Sequence, residues 1–126
     1  MRASLIALFL IFSTTALWAQ DVRLLMVEED GCVWCARWES DIGTEYPKTA
    51  EGATAPLLKH NIRADLPDGV TLKRPLQFTP TFVLIVDGQE AERIEGYPGE
   101  DFFWGLLARM FNTAKIDLLA KPEITG

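Results

Sequence analysis

The sequence predicts an α/β domain whose central mixed four-stranded sheet, a βαβ unit followed by a ββα unit, is flanked by helices. Three observations carry that expectation. Val22 to Glu28 is a nearly continuous apolar run of the kind buried on both faces of a sheet, and a helical pattern follows it. Asp87-Gly88 stands between two strand-like runs, as a two-residue turn should. Phe103, Leu106, Leu107, Met110 and Phe111 recur at the i, i+3, i+4, i+7, i+8 spacing of one helical face.

Ahead of the first strand, Met1-Arg2 leads into an apolar stretch from Leu5 to Leu17, broken by Ser13, Thr14 and Thr15, that reaches Ala19 before polar Gln20-Asp21. This is the layout of a secretory signal peptide over residues 1–19. It falls short of the about 20 apolar residues that a spanning helix needs. Cleavage after Ala19 puts Leu17 at the minus-three position, whereas cleavage after Ala16 puts the smaller Thr14 there. Residues 20–126 then form one domain, which can bury a core without disulfide staples. The formal net charge is −6, one unit more negative without Arg2, and that balance argues against nucleic acid or an anionic membrane as partner.

The first strand stops at Asp30-Gly31. From Val33 onward, Trp34, Trp38 and Ile42 stand four residues apart, which predicts a short amphipathic helix ending near Gly43 with the cysteines in its first turn. Thr49 to Ala55 reads as a loop or a weak helical turn, too short to divide domains. Lys59 to Leu66 alternates imperfectly and is assigned as the second strand, stopped by Pro67-Asp68-Gly69. Thr81 to Val86 and Gln89 to Glu95 make the hairpin. Gly96-Tyr97-Pro98-Gly99 leads into the last helix, where Glu100 and Asp101 suit the positive end of the dipole.

The chemistry centres on Cys32-Val33-Trp34-Cys35. Thiolate is the reactive form of cysteine, and a helix N-terminus lowers a thiol pKa through free N–H groups and the dipole. Cys32 there becomes the attacking thiol, and Cys35 lies within reach as the resolving one. A structural zinc site needs four ligands, but the chain has two cysteines and one histidine, His60, so no metal is expected. Haem attachment would need His where Ala36 stands. An inert disulfide brace stays open as the plain alternative. His60 is expected to be a surface or hydrogen-bonded residue, and Trp38 core. Trp34, with Val33 beside it, is expected to touch a partner. Glu28, Glu29 and Asp30 form a short acidic run that opposes thiolate formation; one of them, if poorly solvated, could accept the Cys35 proton.

Cys32-Val33-Trp34-Cys35 followed by Thr79-Pro80-Thr81-Phe82 at the head of a hairpin strand resembles the thioredoxin superfamily over almost the whole mature chain. The resemblance implies a thioredoxin-like fold, a cis Pro80 facing the cysteines, and a Thr79 backbone that pairs with the bound partner. Gly31 and Met26 depart from ordinary thioredoxin, which has tryptophan and a buried acid at those places. Asp30 to Cys35 is closer to periplasmic domains that pass on electrons received through the membrane. Tyr46 to Gly52, Phe78 to Leu84 and Glu95 to Gly105 resemble the SoxS type of periplasmic thioredoxin-like protein from bacterial sulfur-oxidation systems. That resemblance implies an exported, periplasmic thiol:disulfide oxidoreductase without a cofactor. It would reduce or reactivate a cysteine on a periplasmic partner, such as the sulfur-carrier complex, and be re-reduced by a membrane electron-transfer protein. A monomer is expected. An oxidant of periplasmic thiols, or a non-enzymatic binding module braced by its disulfide, is the alternative.

Overall fold

A computed structural model describes residues 18–120 and 122. Of the expected signal peptide only Trp18 and Ala19 fall among these; the rest lies outside the described residues. Strand β1 (Val22–Glu28) is central. It pairs parallel with β2 (Leu57–Asn61) and antiparallel with β3 (Thr81–Val86), which carries β4 (Gln89–Glu95), so the strand order is β2-β1-β3-β4. Leu24 to Val27 are all fully buried, as a nearly continuous apolar run in a central strand should be. Asp87 and Gly88 have φ of 49° and 82°, the positive pair that a type I′ hairpin turn requires.

Alternation along the strands divides the apolar residues between two faces. Leu24, Met26, Phe82 and Leu84 meet the helices α1 (Val33–Trp38) and α3 (Glu100–Ala114). Trp38 is the centre of this layer, with ring centroids 5.2 Å from Phe82 and 5.8 Å from Phe103, while Phe82 and Phe103 meet edge to face at 4.9 Å. Aromatic pairs at such distances add about 0.5–1.5 kcal/mol beyond area burial. Leu25, Val27, Val83 and Ile85 lie on the other face, covered by Ile62, Val70, Leu72 and Leu76 of the irregular crossover rather than by a helix.

An ion pair holds that crossover. The Arg93 and Glu90 side chains on β4 are only 4% and 2% exposed and meet at 2.7 Å. Arg93 also donates to the Arg74 and Pro75 carbonyls, and Glu90 accepts from the Lys73 amide. Burial alone would raise the Glu90 carboxyl, but the Arg93 and Lys73 hydrogen bonds and the charges of Arg93 and Arg74 hold it below its ordinary value.

Two elements differ from expectation, and a third takes one of its two expected forms. The second strand runs Leu57–Asn61 and not on to Leu66, because Asn61 starts a turn: its side-chain oxygen accepts from the Arg63 amide at 2.9 Å and its carbonyl from the Ala64 amide at 3.0 Å. Residues Thr49 to Ala55 hold a short helix, α2 (Ala50–Thr54), because the Thr49 hydroxyl caps it by accepting from the Gly52 amide at 3.0 Å. The expected helix reaches Gly43, but Glu39–Gly43 winds as a π-helix. Its buried residues are Cys35, Trp38 and Ile42, so Trp34 falls off the core face and is 60% exposed.

Candidate active site

Strand β1 delivers the chain to the site and a turn reverses it: Gly31, at φ 77°, lets the Cys32 amide donate back to the Glu29 carbonyl at 3.2 Å. Cys32 is then the N-cap of α1. Its carbonyl accepts the first helical bond from the Ala36 amide at 3.1 Å, and its sulfur accepts from the Cys35 amide at 3.1 Å. That N–H bond and the free amides of the first turn favour negative charge on the Cys32 sulfur once the pair is reduced. Here the two sulfurs are joined, with the Cα atoms 5.3 Å apart. Access differs between them. Cys35 is 5% exposed and packs in the core, whereas Cys32 is half-buried, and both line a groove of about 480 Å³.

Val33 and Trp34 project from the first turn of α1 and are exposed. Beside Trp34 a second groove is lined by Arg37, Asp41 and Tyr97 to Glu100. Its wall is held by the Tyr97 hydroxyl, which donates to Asp41 at 2.9 Å, and by Arg37, 3.0 Å from the same carboxylate. Partial burial and then the Asp41 hydrogen bond push the Tyr97 hydroxyl up to about 12. The Thr79-Pro80 peptide is cis, Pro80 is buried, and exposed Phe78 precedes them. The Thr79 hydroxyl donates to Glu29 at 2.9 Å, which joins this loop to the turn ahead of Cys32.

The structure thus brings Cys32, Cys35, Val33 and Trp34 onto one helical turn and ties Thr79 to that turn through Glu29. It corrects the expectation for His60, which is buried with Nε2 unpaired, on the sheet face away from α1. Among the described residues no group of three or more metal-ligating side chains occurs. Sequence reasoning missed Glu39, which lines the cysteine groove and forms an ion pair with Lys59 of β2. The Glu39 hydrogen bond raises the Lys59 ammonium above its ordinary value, against the effect of burial. The available signal was position, since Glu39 stands four residues after Cys35 on a predicted helix.

No family model and no curated protein matches this chain. A solved structure does: the reduced form of the periplasmic thioredoxin SoxS from Paracoccus pantotrophus, 53% identical, superposes with a TM-score of 0.72 over 74% of this chain and 98% of that one. The chain belongs to the SoxS thioredoxin family. It has the thioredoxin-like fold and is a thiol:disulfide oxidoreductase that carries a CxxC pair, joined here as the Cys32–Cys35 disulfide.

Proposed function

We propose that residues 1–19 export the chain to the periplasm, where it works as a dithiol reductant of a partner protein's cysteine. Cys32 attacks the partner's disulfide, a mixed disulfide forms, and Cys35 displaces the partner as a reduced thiol while closing the Cys32–Cys35 bond. The two electrons come from the two thiols, so no cofactor is needed. An extended stretch of the partner lies across Val33 and Trp34 and pairs with the Thr79 backbone beside Pro80. The partner is the cysteine of a sulfur-carrier complex in sulfur oxidation, a membrane electron-transfer protein restores the dithiol, and the protein acts as a monomer.

One observation carries this reading: the disulfide sits at a helix start on a groove that both cysteines line, with Cys32 only half-buried and Cys35 packed into the core. An attacking and a resolving thiol need that asymmetry. The periplasmic setting is supported by the relative, which is a periplasmic thioredoxin. Among the described residues no helix is long and apolar enough to cross a membrane. The test is to incubate the Cys35→Ser protein with periplasmic extract and isolate disulfide-linked adducts. A reductant accumulates a trapped adduct through Cys32, whereas a brace traps nothing.

A further inference from the structure

The sheet face away from α1 is closed by irregular chain, and the closure is incomplete. Ile62, Val70, Leu72 and Leu76 pack only partly buried against the strands, and the same four residues line a groove of about 590 Å³. Leu66 extends this apolar wall and is 38% exposed. Small-molecule sites occupy about 300–1,000 Å³ and combine such a wall with a few polar groups.

His60 supplies one polar group. Its register opposite Val27 sets it on this face, where it lines the groove and is buried with Nε2 lacking a hydrogen-bond partner. A buried polar atom left unpaired costs free energy that a suitably placed ligand oxygen removes.

The sign of the ligand follows from the charges. Among the described residues the groove has His60, Lys73 and Arg74 as its ionisable side chains and no carboxylate, although the chain carries a net charge of −6. Lys73 and Arg74 are exposed, but their backbone is fixed. Glu90 accepts from the Lys73 amide at 2.8 Å, and Arg93 donates to the Arg74 carbonyl at 2.9 Å. Lys73 Nζ donates to the Ala91 carbonyl at 2.8 Å and Arg74 pairs with Glu95, yet both side chains carry more N–H groups than those contacts use.

We propose that this groove binds a small amphipathic carboxylate, with its apolar chain along the wall from Ile62 to Leu76 and its charged end at Lys73 and Arg74. His60 is the polar group of the inner wall. Because the groove lies on the sheet face away from α1, an occupied groove leaves Cys32 open to a partner.

Decanoate, kept below its micellar concentration, is titrated into the isotope-labelled oxidised protein and followed by backbone amide NMR, with decanol as the uncharged counterpart. One decanoate binds saturably, the amides that shift belong to residues 60–76, and those of Val33 and Trp34 do not move. Decanol binds the parent about tenfold more weakly, as decanoate binds the Lys73→Gln/Arg74→Gln protein, whose fold is checked by circular dichroism. Absence of saturable one-to-one binding, or shifts centred on the cysteine groove, overturns the proposal. So does parent-like affinity for decanoate in the double variant, or decanol binding as tightly as decanoate. Self-association with the amides of residues 60–76 at the interface assigns the groove to a second copy and likewise overturns it.

Discussion

The Thr79 hydroxyl donates a hydrogen bond to the Glu29 carboxylate at 2.9 Å across a separation of 50 residues. Because the Glu29 carbonyl also accepts from the Cys32 amide, this one residue links the loop before β3 to the turn that delivers Cys32. Thr79→Val removes the bond and keeps the shape. Stability is expected to fall by about 1 kcal/mol in urea unfolding. Trapping of partner by Cys35→Ser in the Thr79→Val background is expected to slow by more than that loss explains, and Thr79→Ser is expected to restore it.

Two tryptophans four residues apart divide structure from recognition. Trp38 is fully buried among Phe82, Phe103 and Tyr46, so Trp38→Ala is expected to cost about 3–5 kcal/mol of stability. Trp34 is largely exposed, and Trp34→Ala is expected to change stability by no more than about 0.5 kcal/mol. Adduct formation should show the reverse order of sensitivity. A Trp34→Ala protein that captures partner at the parent rate removes Trp34 from the proposed contact surface.

Stability should fall in acid through Glu90. Its carboxyl is held below the ordinary value of 4.5 in the fold, so the native state binds fewer protons there than the unfolded chain. The contribution is complete above that ordinary value and is lost as pH drops through the lower folded one. Glu90→Gln is therefore expected to flatten the acid limb of stability against pH. Glu90→Ala is expected to cost about 3–5 kcal/mol at neutral pH, since Arg93 loses its buried partner. Hydrogen exchange should quicken across residues 70–76, where Arg93 and Glu90 grip the backbone.

These outcomes depend unequally on what could be read in the chain. β1, the hairpin and α3 were legible because each carries its own periodic pattern or turn, as in Asp87-Gly88 and in Phe103 to Phe111. The cysteine pair was legible as chemistry because its spacing and helix start are local. The end of β2 was obscured because Ile62 continues the apolar pattern although it belongs to the cover of the opposite sheet face, past the turn at Asn61. Trp34 was legible as a contact residue, although the shared spacing of Trp34, Trp38 and Ile42 did not show that the core face runs through Cys35, Trp38 and Ile42. Glu39 was missed because its environment comes from Lys59, a residue brought beside it only when β2 pairs with β1. The acidic run before Cys32 drew attention by being contiguous, although Glu29 proved to be a tether for Thr79.

The central claim is that Cys32 and Cys35 form an exchange centre and not a brace. The purified protein can be equilibrated in dithiol and glutathione buffers of graded potential, quenched with an alkylating mass tag, and read as the fraction reduced. A half-buried Cys32 at a helix start, on a groove, should give one two-electron transition above about −300 mV, the upper bound typical of structural disulfides. A pair that remains oxidised in buffers poised below about −300 mV would contradict the account.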